Sequence, residues 1–205
     1  MARALHLDAG VSARGIAGVR ARVVRGRKRG FTLIEMMIVV VIVGILATLA
    51  VVGYRQLIQS SHVTEATNNV QSIRVAQEAY HAETQQYAKV STDLTASWYP
   101  QNAPTGRLVT QWGGVCSKCV GSGWTVLPVH IDGPVMFGYS TTGGTTGDTA
   151  PGLPTAMASV TLPSPITNDW FVIDAMCDLD GNGSPYTYVL TTSWSNQVFT
   201  FNEGQ

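Results

Sequence analysis

Residues 29–53 read RGFTLIEMMIVVVIVGILATLAVVG, and this stretch decides how the rest of the chain is organised. Residues 36–53 are 18 uncharged, mostly apolar residues. With the apolar residues before them they approach the ~20 that cross the ~30 Å hydrocarbon core of a bilayer. A carboxylate, Glu35, lies near the start, where a charge is costly and needs a partner. The stretch therefore predicts a membrane-spanning helix whose Glu35 requires a cation.

Charge is distributed unevenly between the segment before the apolar helix and the rest of the chain. Residues 1–30 hold eight Arg and Lys against one acidic residue, whereas residues 31–205 hold five basic against twelve acidic residues. Basic residues ahead of a membrane helix keep that end in the cytoplasm, so we expect the C-terminal part to be exported. A basic block can also bind nucleic acid, but its position beside a membrane helix argues against that function. We therefore expect no nucleic acid as a partner.

The sequence Gly30-Phe31-Thr32-Leu33-Ile34-Glu35, after a basic block and before an apolar helix, resembles the processing site of type IV prepilins and pseudopilins. The resemblance implies that a prepilin peptidase of the inner membrane cuts between Gly30 and Phe31 and N-methylates Phe31. It also implies that the cationic amine of Phe31 neutralises Glu35 of a neighbouring subunit, so both residues would direct assembly. An ordinary signal peptide is the alternative, but the apolar run exceeds a normal 7–15-residue h-region and contains a glutamate.

Beyond Gly53 the sequence changes from uniformly apolar to amphipathic. Residues at intervals of three and four predict a helix with one buried stripe: Val63, Ala66, Val70, Ile73, Gln77 and Tyr80. No proline interrupts residues 31–99, so we expect one helix from about residue 31 to about residue 83. We divide the chain into a leader (1–30), a transmembrane or filament-core helix (31–53), an amphipathic helix (54–86) and an exported domain (87–205). Type IV pilins often have a proline near position 52, where this chain has Val52. Where this helix bends is therefore an open question.

The sequence of the expected exported domain predicts a β-sheet. Proline and glycine interrupt residues 87–123, which indicates a long surface loop. Alternating or β-branched runs follow at 124–131, 135–141, 169–176, 186–192 and 197–201, with turn residues such as Gly143-Gly144 between them. The predicted fold class is α+β, with the long N-terminal helix packed on an antiparallel sheet of four or five strands.

Three cysteines fall in the part expected to be exported, where disulfides persist: Cys116, Cys119 and Cys177. Three cysteines permit one bridge. A bridge from Cys177 to Cys116 or Cys119 is favoured, because it would tie the irregular loop to the C-terminal strands. A local Cys116–Cys119 bridge and metal binding by the thiols are the alternatives.

The segment Asp178-Leu179-Asp180-Gly181-Asn182-Gly183 matches the first half of a calcium loop. Its second half is missing, because Val189 stands where the bidentate glutamate would be. We favour a tight turn in which Asp and Asn side chains bind their own backbone. A weak Ca²⁺ site at Asp178, Asp180 and Asn182 is the alternative, and no other cofactor is expected.

Catalytic signatures are missing from the sequence. Its four histidines are scattered, and nothing resembles a nucleophile elbow or a phosphate loop. No enzyme is expected.

The resemblance instead implies a structural subunit that is anchored in the inner membrane, polymerises with other pilin subunits through an assembly platform, and lies in an extracellular pilus. A secretion pseudopilin is one alternative. Another is a minor or tip subunit whose exposed Trp98, Trp112 and Trp124 bind a surface; motility, adhesion, DNA uptake and secretion stay open.

Overall fold

A computed structural model describes residues 30–101, 104, 108–114, 116, 118–183 and 186–203. Of the predicted leader, only Gly30 lies within these residues. The chain divides into two units, residues 1–44 and 45–205. The helices and strands are α1 (Leu33–Thr84), β1 (Thr110–Gln111), β2 (Pro134–Val135), β3 (Gly138–Gly144), β4 (Trp170–Cys177), β5 (Thr187–Thr192) and β6 (Ser195–Phe201), with short 3₁₀ helices at Gly123–Val126 and Thr155–Met157.

The predicted long helix is confirmed, since α1 runs for 52 residues without interruption. Its buried positions repeat the predicted stripe at intervals of three and four: Val63, Ala66, Val70, Ile73, Ala76 and Gln77. The helix ends where Gln85 takes a left-handed φ of 60° while its N–H still bonds the carbonyl of His81 at 2.8 Å. A left-handed residue directly after the last turn is a common helix stop.

The predicted antiparallel sheet is confirmed with four strands, in the order β3-β4-β5-β6. A separate pair, β1 and β2, adds two residues from each strand. Each neighbouring pair in the main sheet is also consecutive along the chain, so the sheet is a simple meander. The expected α+β class therefore holds.

Two local predictions are wrong. The strand predicted over residues 124–131 does not form: a 3₁₀ helix occupies Gly123–Val126, where Trp124 turns into the core and stacks on Tyr99 with ring centroids 5.3 Å apart. Gly143 and Gly144 belong to β3 rather than to a turn. At Gly144 a side chain would collide with the indole ring of Trp170, so this strand position requires glycine.

Two apolar clusters cover the two faces of the sheet within residues 45–205. On one face, α1 packs its buried stripe against alternate residues of β4, including Phe171, Ile173 and Ala175. On the other face, Trp170 and Val172 of β4 pack with Leu190 and with loop residues such as Leu94 and Met157. Because both faces are covered, every residue of β4 is buried.

A buried amide fixes the chain where it turns back after α1. The Gln77 Nε2 donates to the carbonyl of Ala88 and to the hydroxyl of Thr141, each at 3.0 Å, and the Gln77 Oε1 accepts the N–H of Ala88 at 2.9 Å. A polar side chain is tolerated in the core when its groups are paired in this way. Gln77 therefore links the helix, the following loop and β3.

Candidate functional site

The predicted processing site lies at the start of the described chain. Gly30 has no regular secondary structure, and a side chain there would meet no atom within 4 Å. Phe31 is 77% exposed. Nothing inside the fold therefore requires a glycine at position 30 or buries the residue that follows it.

Glu35 completes a capping box at the start of α1. Its Oε2 accepts the backbone N–H of Thr32 at 2.8 Å and the Thr32 hydroxyl at 2.7 Å, while the Glu35 N–H donates to that hydroxyl oxygen at 3.2 Å. Reciprocal bonds of this kind satisfy N–H groups that the first helical turn leaves unpaired. The sequence signal was present as Thr-x-x-Glu, and the sequence analysis missed it.

The first part of α1 presents apolar side chains without cover. From Phe31 to Ile58, large apolar residues are exposed on every side of the helix, among them Leu33, Val40, Leu49 and Leu57. Among the described residues, α1 is the one helix long and apolar enough to cross a membrane by length and composition. Its sequence carries no charge between Glu35 and Arg55. This surface is suited to lipid or to other helices and unsuited to water.

The favoured disulfide is wrong. Cys116 and Cys119 bond to each other, with their Cα atoms 5.6 Å apart. Cys177 lies at the end of β4 on the face that packs against α1, and burial raises the pKa of its thiol to about 12. The Cys177 side chain lies in the core cluster, and Cys116 and Cys119 pack against that cluster as a bonded pair. The local bridge closes only the loop that carries it.

The aspartates of the proposed calcium loop bind their own turn. The Asp178 carboxylate accepts the N–H groups of Gly181 and Gly183 at 2.8 and 3.0 Å. Asp180 accepts the backbone N–H of Asn182 at 3.1 Å and also bonds its side-chain amide. These contacts fit the tight turn that the sequence favoured. Ca²⁺ binding here stays a prediction; the described residues contain no group of three His, Cys, Asp or Glu placed to hold a metal ion.

The remaining candidates are dispersed or buried. His62, His81 and His130 each lie near a different carboxylate, at 3.7, 3.8 and 2.9 Å, and His6 lies outside the described residues. Trp98 and Trp124, expected to be exposed, are 3% and 6% exposed, and Trp112 is partly buried against Tyr99. Aromatic packing in the core therefore removes the exposed tryptophan surface that a binding role had assumed.

Comparison with known proteins gives a match to one family model and similarities to several proteins. Residues 25–51 match the prokaryotic N-terminal methylation motif. The chain is 38% identical over 68 residues to the type IV major pilin protein PilA of Myxococcus xanthus, which is 33% of this chain and 31% of that protein. It is 44% identical over 52 residues to a fimbrial protein of Pseudomonas aeruginosa (25% and 34%) and 42% identical over 52 residues to a probable minor fimbrial protein of Dichelobacter nodosus (25% and 33%).

These matches span about a third of the length of each relative. No solved structure matches the chain. Residues 25–51 thus carry the methylation motif, and a third or less of the chain is similar to type IV pilin and fimbrial proteins. A long apolar helix at this end also fits membrane anchoring and a surface pilus.

Proposed function

We propose that the protein is a structural subunit of a type IV pilus-like filament, polymerised through the first part of α1. The observation that carries the proposal is a long apolar helix, exposed on all sides, whose one charged residue before Arg55 is Glu35. Such a surface requires an apolar environment, and a membrane and a bundle of identical helices both supply one. The similarity to a major pilin and to fimbrial proteins supports the same reading.

Processing at Gly30 is the first step of this proposal. A prepilin peptidase would cut before Phe31 and methylate the new amine. Gly30 has free space around it and Phe31 is exposed, so the requirement for glycine fits recognition by an outside partner. Cleavage ahead of the helix leaves the apolar segment on the mature chain.

Charge pairing between subunits is the second step. The amine of Phe31 is the cation that cleavage creates closest to Glu35, and a helix core excludes water, so an unpaired carboxylate there is costly. Within one chain Glu35 already accepts two bonds from Thr32. A carboxylate has further lone pairs, so it can hold the cap and also accept the amine of a neighbour.

Membrane topology follows from the charge distribution. The basic residues of 1–30 would hold the N-terminus in the cytoplasm and export residues 87–205. The assembly platform of the inner membrane would then pass subunits into the filament. A major pilin, a minor or tip subunit and a secretion pseudopilin all fit this scheme, and we favour the pilin.

The experiment separates the charge of Glu35 from its cap. Glu35→Gln keeps a residue able to close the capping box but removes the charge, whereas Thr32→Val removes the cap and keeps the charge. We expect Glu35→Gln and Glu35→Ala to lower sheared-filament subunit by at least about tenfold, because the loss of a buried charge pair exceeds about 1.4 kcal/mol. Thr32→Val should still assemble, and the membrane-bound subunit should stay at the wild-type level in all three.

Wild-type filament yield from Glu35→Gln would show that intersubunit charge pairing is dispensable. Loss of filaments from Thr32→Val with normal assembly of Glu35→Gln would assign Glu35 to helix capping alone. Both outcomes contradict the pairing step.

A further inference from the structure

A pocket of about 390 Å³ opens on the side of the sheet that faces away from α1. Four parts of the chain line it: the segment 89–95 after α1, residues 142–143 of β3, the segment 148–152 of the β3–β4 connection, and Trp170 of β4. The volume lies within the roughly 300–1,000 Å³ of small-ligand sites. All of its lining residues are described and lie in the unit 45–205.

One wall of the pocket is held by Asp93. Its Oδ1 accepts the N–H groups of Thr95 and Ala96 at 2.8 and 2.5 Å, and its Oδ2 accepts the Ser97 hydroxyl at 3.0 Å. The Asp93 carbonyl accepts the hydroxyl of Ser140 on β3 at 2.9 Å. This turn is therefore fixed to the sheet, and the Asp93 carboxylate is already occupied.

The opposite wall is fixed independently. Asp148 Oδ2 accepts the N–H and the hydroxyl of Thr145 at 2.7 and 3.2 Å. Gly147 donates to the carbonyl of Ile166 at 3.1 Å, and the Thr146 N–H donates to Asp169 at 3.2 Å. Because both walls are held by hydrogen bonds, the pocket is formed before any ligand arrives. Preformed sites lose less entropy on binding.

Several polar groups of the pocket are uncommitted within the described chain. The ammonium of Lys89, the hydroxyls of Thr142 and Thr149, and Oδ1 of Asp148 line it without a hydrogen bond to another described residue. Leu94 and Trp170 close the base of the pocket but are only 1% and 4% exposed, so little of their apolar surface is accessible. The pocket thus offers mainly hydrogen-bond donors and acceptors.

The charges of the pocket select among ligand classes. Two carboxylates, Asp93 and Asp148, lie with one ammonium, Lys89, so an anion would meet net negative charge. A metal cation would find one free carboxylate oxygen, because the Asp93 oxygens already accept bonds from their own turn. A neutral molecule with several neighbouring hydroxyls can pair with the donors and acceptors that are present.

We propose that the pocket lined by Lys89, Thr142, Asp148, Thr149 and Trp170 binds a neutral saccharide. The hydroxyls of the sugar would bond Lys89, Asp148 and Thr149. None of the residues that line the pocket belongs to α1, the part of the chain that the proposed assembly uses.

The test uses the full-length chain in a zwitterionic detergent without a sugar headgroup. Glucose, galactose, mannose, N-acetylglucosamine and their β-linked disaccharides are titrated and followed by saturation-transfer NMR. We expect at least one to bind with a millimolar Kd. Gly152 lies at the pocket in open space with an ordinary backbone, so Gly152→Leu should fill the pocket and abolish binding. Thr149→Val should weaken binding about threefold to tenfold, the effect of one lost hydrogen bond.

The matched control is Gly114→Leu, since Gly114 also has open space around it and lies outside this pocket. Saccharide binding should be retained in this variant. The proposal is wrong if no saccharide binds, if Gly152→Leu binds as tightly as wild type, or if only inorganic phosphate binds and Lys89→Met abolishes it. These outcomes do not depend on Glu35 or on filament yield, so they leave the proposed assembly role untouched.

Discussion

At the scale of single residues, Asp174 is an acid placed where an apolar residue would be expected. It lies in the middle of β4 opposite Ser140 and Leu190, and it is fully buried. Its carboxyl oxygens have no well-formed hydrogen bond among the described residues. Burial raises the pKa of Asp174 well above its usual range, and the neighbouring N–H of Ala175 offsets only part of this. Burial therefore favours the neutral, protonated form of this carboxyl over the charged form.

This neutral acid makes stability depend on pH. Below about pH 4 the carboxyl is protonated in both states and contributes no difference. Above that pH the unfolded chain ionises while the folded chain does not, so stability falls as pH rises towards the folded pKa, by up to about 1.4 kcal/mol per pH unit. Asp174→Leu should remove this loss and raise the free energy of unfolding at pH 7. Urea unfolding of the solubilised chain at pH 4, 5.5 and 7, followed by tryptophan fluorescence, measures the difference. If the difference in unfolding free energy between Asp174→Leu and the wild type does not widen as pH rises, the prediction is wrong.

The cysteines give a second prediction at the residue scale. Non-reducing peptide mapping of the mature protein should recover Cys116 joined to Cys119 and should place Cys177 in an uncross-linked peptide. Cys116→Ser should cost about 2 kcal/mol of unfolding free energy, because the bridge closes a very short loop. Recovery of a peptide that joins Cys177 to either of the others would contradict the fold of this loop.

At the scale of elements, Arg74 joins α1 to the last hairpin of the sheet. Its Nη1 donates to the Thr191 hydroxyl at 3.2 Å and to the carbonyl of Ser195 at 2.9 Å, and its Nη2 donates to Asn196 Oδ1 at 2.8 Å. The guanidinium also lies over the Phe171 ring, 5.9 Å from its centroid. A planar group with several donors suits such a junction better than a lysine does.

Arg74→Met should therefore lower the free energy of unfolding by about 2–3 kcal/mol, since hydrogen bonds from a charged donor are worth more than neutral ones. Arg55→Met is the matched control on the same helix. Arg55 is exposed, so its replacement should change stability by less than about 0.5 kcal/mol. Equal effects of the two variants in urea unfolding would show that the Arg74 contacts contribute little.

Periodicity predicted the elements that have a simple pattern. The stripe of α1 and the runs that became β4, β5 and β6 follow the intervals of a helix and of strands that pack in a core. The strand predicted over residues 124–131 was wrong because the packing of the Trp124 side chain overrode a strand-like composition. The disulfide prediction was wrong because the number and spacing of cysteines do not reveal which two lie close enough to bond. The saccharide pocket joins four separate parts of the chain, so no sequence motif marks it.

At the scale of the whole molecule, the chain combines an exposed apolar helix surface with a sheet that has its own hydrophobic core. The apolar helix surface requires a membrane or other subunits to cover it. The sheet has apolar clusters on both of its faces. In the proposed scheme, a cleavage site ahead of the apolar helix would allow one segment to serve first as an anchor and then as filament core. The filament proposal therefore depends on where the mature chain begins.

Mass spectrometry of the N-terminal peptide from sheared surface filaments tests this claim most directly. We expect the filaments to contain a mature subunit that begins with N-methylated Phe31, and we expect a bulky residue in place of Gly30 to leave the leader attached. A subunit in the filaments with an intact leader, or one that begins at Val51 after cleavage behind the apolar run, would contradict that claim.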